Sequence, residues 1–167
     1  MVARWDPQKD HTNLFASLSI VNRQIQTPII LVLCGKGISK ENNALISAIN
    51  AHGLEQSVIF HPVSSDIREV MNGLDIHVLS SSAEAFPNVV AEAMLCGTLS
   101  IATNVGEASL IVGSFGWIAE PKDSTALSNC IIKALNELSS PEKGALVRQG
   151  ARKSISSRFG LTKMSRA

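Results

Sequence analysis

The run Pro28-Ile-Ile-Leu-Val-Leu-Cys34 is continuous, apolar and rich in branched side chains. A run of this kind fits a strand buried on both faces, because a strand with one wet face would alternate. Val58-Ile-Phe60, Ile76-His-Val-Leu79, Leu99-Ser-Ile-Ala102 and Trp117-Ile118 are shorter runs of the same kind. Between them apolar residues recur at helical spacing. Leu14, Leu18 and Val21 share one face, as do Leu45, Ile46 and Ile49, and then Leu127, Ile131, Leu135 and Leu138. Gly53 and Gly73 stand where a helix-closing glycine belongs. Pro87 opens a further helix that runs through Leu95 and is closed by Gly97. Strands that alternate with single helices require right-handed crossovers and a parallel sheet covered on both faces. The predicted class is α/β, a Rossmann-like doubly wound parallel sheet.

Composition narrows the function classes. Hydrophobic residues make up 45% of the 167 and charged residues 17%, so burial can offset the entropy of ordering and disorder is excluded. Fifteen Lys and Arg against fourteen Asp and Glu leave a net charge of +1 with no basic block, which argues against nucleic-acid binding by phosphate neutralisation. The longest apolar run is too short to cross a bilayer and lacks a signal-peptide layout. Cys34, Cys96 and Cys130 are odd in number and far apart, so they read as reduced thiols of a cytoplasmic protein. His61 and His77 lack neighbouring ligands at metal spacing and read as structural. Gly35-Lys-Gly37 lacks the third glycine of a dinucleotide fingerprint, and Ser80-Ser-Ser82 lacks a nucleophile elbow.

Open parallel sheets bind ligands beyond the carboxyl ends of their strands. Arg4 and Lys9, Gly35-Lys-Gly37, His61 to Ser65, Ser80 to Asn88, and Thr103 to Glu107 all fall in such loops. Two cations, glycines, hydroxyls and a carboxylate pair suit a phosphorylated, hydroxyl-rich ligand. Glu84 and Glu92 are separated by seven residues, one in the loop and one about a turn inside the helix that follows. The N–H groups of that helix start, near Phe86 to Val89, form an anion site. Carboxylates beside a phosphate repel it, so their partners would be hydroxyls of a sugar and a ribose. Spacing alone leaves open a second reading, two solvated glutamates.

Glu84-Ala-Phe-Pro-Asn-Val-Val-Ala-Glu92-Ala-Met-Leu-Cys-Gly97, continuing to Ile101-Ala-Thr103-Asn-Val-Gly106, resembles the signature of the retaining glycosyltransferases of family 4. Val2-Ala-Arg4-Trp-Asp-Pro7-Gln-Lys9 is similar to that family's Gly-Arg-Leu-x-Pro-x-Lys-Gly segment. Leu33-Cys-Gly35-Lys-Gly37 falls at its Gly-x-Gly, and Phe115-Gly116-Trp117 with Pro121-Lys-Asp123 resembles a later stretch. The matches are collinear from Val2 to about Phe159. Ala3, Ala85, Pro87, Glu107 and Leu110 depart from the pattern, the last two in a loop where the family often has a second glycine and an acid.

The resemblance implies one half of a GT-B fold, the C-terminal donor-binding domain. Residues 1–167 are then a single nucleotide-sugar-binding domain, cut at both ends, with most of its first strand and the acceptor domain absent. It implies a hexosyltransferase-type enzyme of polysaccharide biosynthesis that retains configuration, the isolated chain being inactive. Arg4 and Lys9 would bind the donor diphosphate and stabilise the leaving nucleotide. Glu84 would hold the transferred sugar, Glu92 the ribose, and the loop at Val63 the base. Gly35 and the backbone at Phe86, Asn88 and Val89 would line the donor. The expected partners are a nucleotide-diphosphate sugar, a glycan or lipid-linked sugar acceptor, and an N-terminal acceptor domain or subunit. No cofactor or metal is expected, and the location would be cytoplasmic, or peripheral at the inner face of the membrane. The alternatives are a non-catalytic nucleotide-binding subunit, a GT-B-like sugar-nucleotide epimerase, or a Rossmann oxidoreductase domain.

Overall fold

Each of the five apolar runs becomes a strand in the computed structural model, which describes residues 1–64 and 66–159. These are β1 (Leu31–Cys34), β2 (Val58–His61), β3 (Ile76–Leu79), β4 (Leu99–Thr103) and β5 (Gly116–Ala119). All pairings are parallel: β1 with β2 in one piece, and β3, β4 and β5 in that order in another. The α/β class and the parallel sheet stand as expected. The segment Arg158 to Met164, expected to begin a further element, lies outside the described residues beyond Phe159, as does Ser65 in the loop after β2.

The helices are α1 (His11–Gln24), α2 (Asn43–Ala51), α3 (Ile67–Asn72), α4 (Asn88–Leu95), α5 (Ala108–Val112), α6 (Ser124–Leu138) and α7 (Pro141–Phe159). Their starts are chemically marked. The side chains of Asp10, Asn42, Asp66 and Asp123 accept hydrogen bonds from the backbone N–H of Asn13, Leu45, Arg68 and Ala126. Each such cap satisfies a donor that the helix cannot, and is worth about 1 kcal/mol. The apolar faces of α1 and α6 pack together over the sheet, where Leu14, Phe15, Leu33, Leu127 and Ile131 are almost wholly buried. The central strand β4 is buried along its whole length.

Two expectations need correction. The strand expected from Pro28 begins only at Leu31, and Ile30 is 65% exposed. β2, expected to be buried on both faces, is only half-buried, with Ile59 well exposed. Both follow from position. β2 lies at the edge of its piece, and the β1 edge that faces β3 is bridged only where Val2 lies opposite Cys34. There Met1 N donates to Val32 O at 2.8 Å, Cys34 N donates to Met1 O at 3.1 Å, and Ala3 N donates to Cys34 O at 2.9 Å. Among the described residues the two pieces of sheet do not join beyond this short bridge.

Candidate functional site

The chain after Ala3 turns outward at the carboxyl end of the sheet and closes a single 3-10 turn, Pro7–Lys9. Asp6 caps this turn by accepting from Gln8 N at 2.9 Å, and Arg4 Nε donates to Asp6 Oδ2 at 3.1 Å. The Gln8 amide and the Arg4 guanidinium hold the Asp6 carboxyl below the usual carboxylate range. The turn is stitched to the loop after β3. Ser82 N donates to Gln8 O at 2.8 Å, and Gln8 Nε2 donates to Ala83 O at 2.7 Å. Ser80 Oγ donates to the carbonyls of Lys9 and Asp10.

This stitching brings Lys9 onto Glu84. Lys9 Nζ donates to Glu84 Oε1 at 2.5 Å, and Ser81 Oγ donates to the same oxygen at 2.7 Å. Both charged side chains are largely buried. Ser81 is itself fixed from below, since Thr103 Oγ1, at the end of β4, donates to Ser81 O at 2.6 Å. Oε2 of Glu84 meets no donor among the described residues, so one carboxylate oxygen is committed and one is available.

Two glycines let the neighbouring loops close on this pair. A Cβ on Gly35 would lie 2.2 Å from Ala3 O, and Trp5 N donates to Lys36 O. Gly106 has a φ of +51°, and a Cβ there would lie 2.3 Å from the carbonyl oxygens of both Glu84 and Ala85. Glu107 N donates to Ala85 O at 3.0 Å. The loops after Ala3, β1, β3 and β4 therefore meet at one corner of the domain.

Helix α4 begins there with Pro87 as its cap and no side-chain acceptor. Asn88 N donates to Phe86 O at 2.9 Å. The N–H groups of Phe86 and Val89 have no acceptor among the described residues. Phe86 is 41% exposed and meets the Phe159 ring edge-on at 5.7 Å. Glu92 is exposed on α4. Val63 is exposed in the loop after β2, whose Pro62 O accepts from Cys34 Sγ. Arg4 is turned to Asp6, with its side chain mostly in solvent.

The structure thus brings Lys9, Glu84 and the open start of α4 to one end of the sheet, while Arg4, Val63 and Glu92 stand further out as exposed groups. Sequence reasoning missed the part played by Gln8, whose two carbonyl and amide contacts carry no motif. It placed the Ser80 to Ser82 hydroxyls in a ligand loop without seeing that Ser81 holds Glu84. His77 is buried in β3, and among the described residues no three His, Cys, Asp or Glu side chains cluster as metal ligands. No helix among them is long and apolar enough to cross a membrane.

Known proteins resemble this chain in sequence and fold. The chain is 28% identical over 109 residues to the N-acetyl-alpha-D-glucosaminyl L-malate synthase of Bacillus anthracis, covering 64% of this chain and 28% of that protein. It superposes on a glycosyltransferase from Rickettsia africae ESF-5 with a TM-score of 0.87 and 25% identity, over 99% of this chain and 44% of that one. Anabaena Alr3699/HepE, solved in complex with UDP, gives a TM-score of 0.84 and 27% identity over 99% of this chain and 45% of that one. The chain therefore spans less than half the length of these relatives. The family model described as glycosyl transferases group 1 matches residues 1–153. With that match covering nine-tenths of its length, on a parallel α/β fold shared with these solved structures, the chain belongs to the glycosyl transferases group 1 family.

Proposed function

We propose that this chain is the C-terminal, donor-binding half of a retaining GT-B glycosyltransferase of family 4, and that it binds a nucleotide-diphosphate sugar at the corner built around Lys9 and Glu84. The observation that carries this reading is the Lys9–Glu84 contact beside the uncapped start of α4. A cation, a carboxylate oxygen with spare capacity and free backbone donors are what a diphosphate joined to a sugar demands. UDP in the solved Anabaena relative supports a nucleoside diphosphate as ligand.

In this reading Lys9 exchanges Glu84 for the diphosphate, and the Phe86 and Val89 amides meet phosphate or sugar oxygens. Arg4 leaves Asp6 to meet the outer phosphate. Glu84 Oε2 accepts from a sugar hydroxyl, Glu92 from the ribose, and Val63 covers the base. When the bond from the anomeric carbon to the phosphate oxygen breaks, negative charge grows on the leaving diphosphate. Fixed cations and aligned amides stabilise that charge at little reorganisation cost. The acceptor hydroxyl, whose oxygen forms the new bond and whose proton is lost, is held by the acceptor domain or subunit. Transfer of a hexose to a glycan or lipid-linked acceptor, as in polysaccharide assembly, then needs both halves. This chain alone binds the donor but does not turn it over, since orienting the two reactants is much of the catalysis.

Calorimetric titration with UDP, GDP and ADP and their glucose conjugates tests the reading. One nucleotide series should bind saturably, and the Arg4→Ala/Lys9→Ala double variant should bind its diphosphate about tenfold or more weakly. A folded sample that binds none of them, or a double variant of unchanged affinity, overturns it.

A further inference from the structure

We propose that Phe159, at the end of α7, is a positioning residue for the donor: its ring fixes the Phe86 side chain, and with it the open N–H groups at the start of α4. Phe159 has this role only if the start of α4 meets the donor, as proposed above.

The loop before α4 is tied down up to Ala85 and not beyond. The Ala83 and Ala85 carbonyls accept from Gln8 Nε2 and Glu107 N, and Gly106 packs against the carbonyls of Glu84 and Ala85. Past Ala85 the backbone bonds are local. Phe86 O accepts from Asn88 N and Pro87 O from Val90 N, and Pro87 caps α4 with no side-chain acceptor. Proline has no N–H with which to tie the loop elsewhere. Among the described residues, no backbone bond to another element therefore sets where the Phe86 N–H points.

The Phe86 side chain supplies that tie. Its ring, 41% exposed, meets Phe159 with centroids 5.7 Å apart and planes at 75°. In this geometry the positive edge of one ring faces the negative face of the other, which fixes direction as well as distance. Phe159 is itself anchored. It packs against the hydrophobic core, and α7 buries Ala151 and Ile155 beside it. The Arg158 guanidinium lies 4.9 Å from the centre of the Phe159 ring and donates to Leu110 O in α5. A cation over the face of a ring helps to hold its plane. Hydrogen bonds weaken steeply when misaligned, so a loop free to swing at Phe86 would lose its grip on a phosphate even with Lys9 and Glu84 intact.

Calorimetric titration of the full chain with UDP, GDP and ADP tests the role of Phe159. Phe159→Leu keeps an apolar side chain against the core but removes the ring, and should raise the dissociation constant of the diphosphate that binds about fivefold. Phe159→Tyr keeps the ring and should bind as the wild type does. Should Phe159→Leu fail to fold, Phe86→Leu removes the same contact from an exposed position and should weaken binding equally. Without ligand, the Phe86 ring protons should show a ring-current shift by NMR that Phe159→Tyr keeps and Phe159→Leu abolishes. Unchanged affinity in both leucine variants, or a tyrosine variant as weak as the leucine one, overturns the proposal. So does a Phe86 ring whose shifts ignore Phe159. A wild-type chain that binds no nucleoside diphosphate overturns the donor reading and the role of Phe159 with it, while the ring shift still reports the contact.

Discussion

Lys9 Nζ and Glu84 Oε1 lie 2.5 Å apart, joining the first turn of the chain to the loop after β3 across 75 positions of sequence. The side chains are 16% and 10% exposed, so neither charge is well served by water. Removing one partner strands the other, and breaking a buried pair costs about 3 kcal/mol. Lys9→Met should lower stability by that order. The Lys9→Met/Glu84→Gln double variant should recover most of the loss, because no uncompensated charge remains. Urea unfolding of the two singles and the double gives the coupling directly. Additive losses would mean that the two side chains are energetically independent.

Ser81 donates to the oxygen that Lys9 already holds, and so helps to fix the Glu84 carboxylate. If Glu84 serves the sugar, Ser81→Ala should disturb sugar binding and leave the diphosphate alone. A hydrogen bond to a charged group contributes about 1.5 kcal/mol, or roughly tenfold in affinity. Calorimetry should therefore show a weaker complex with the nucleotide-diphosphate sugar that binds and an unchanged complex with its diphosphate. Equal weakening of both would move Glu84 away from the sugar.

Gly106 and Gly53 both hold a left-handed backbone, at φ of +51° and +65°, but only Gly106 is crowded. A Cβ on Gly53 meets nothing within 4 Å, so Gly53→Ala should cost only the conformational penalty of roughly 1 kcal/mol. Gly106→Ala adds a clash with the carbonyls of Glu84 and Ala85, and the total should reach about 3 kcal/mol. Denaturation midpoints of the two variants separate conformation from crowding. Similar losses would show that the loop at Glu84 yields freely.

The strands and most helices are legible in the sequence because apolar runs, apolar residues at helical spacing and glycine stops leave strong local marks. Pro28 to Ile30 read as strand from composition, yet they stay outside it because their pairing partner is not a local property. The 19-residue helix α7 left little trace, being polar and interrupted by Gly144 and Gly150. It is held instead by distant contacts, such as Arg148 donating to Gly97 O and Arg152 to Leu95 O, and by Phe115 lying where a side chain on Gly150 would be. At the candidate site, motif spacing marked Lys9 and Glu84 as residues but not as a pair. Their contact depends on Gln8 and Ser82 bonds that only the folded loops create. Arg4, grouped with Lys9 by motif, stands apart because Asp6, two positions on, captures it first.

Acid should weaken the fold through three buried bases. Burial pushes the Met1 amine down to about 5, the His11 imidazole to about 4 and the His77 imidazole to about 3, and the nearby amino terminus lowers both histidines further. Each is a base with a folded pKa below its unfolded one, so the unfolded chain binds more protons in between and stability rises with pH. The histidine contributions are complete above about pH 6.5 and drain away as pH falls toward 4 for His11 and 3 for His77. The amine contributes between about 8 and 5. Each group adds about 1.4 kcal/mol per pH unit within its window. Stability measured by urea unfolding should therefore drop steeply from pH 6.5 to pH 5, where all three windows overlap. His77 is wholly buried opposite Ser100 in β4, and neither ring nitrogen has a partner. His77→Leu should fill the same space without a proton to take up, and its stability should fall with a slope shallower by that amount per pH unit. An unchanged slope would mean that His77 is protonated as readily in the folded chain as in the unfolded one, which its burial forbids.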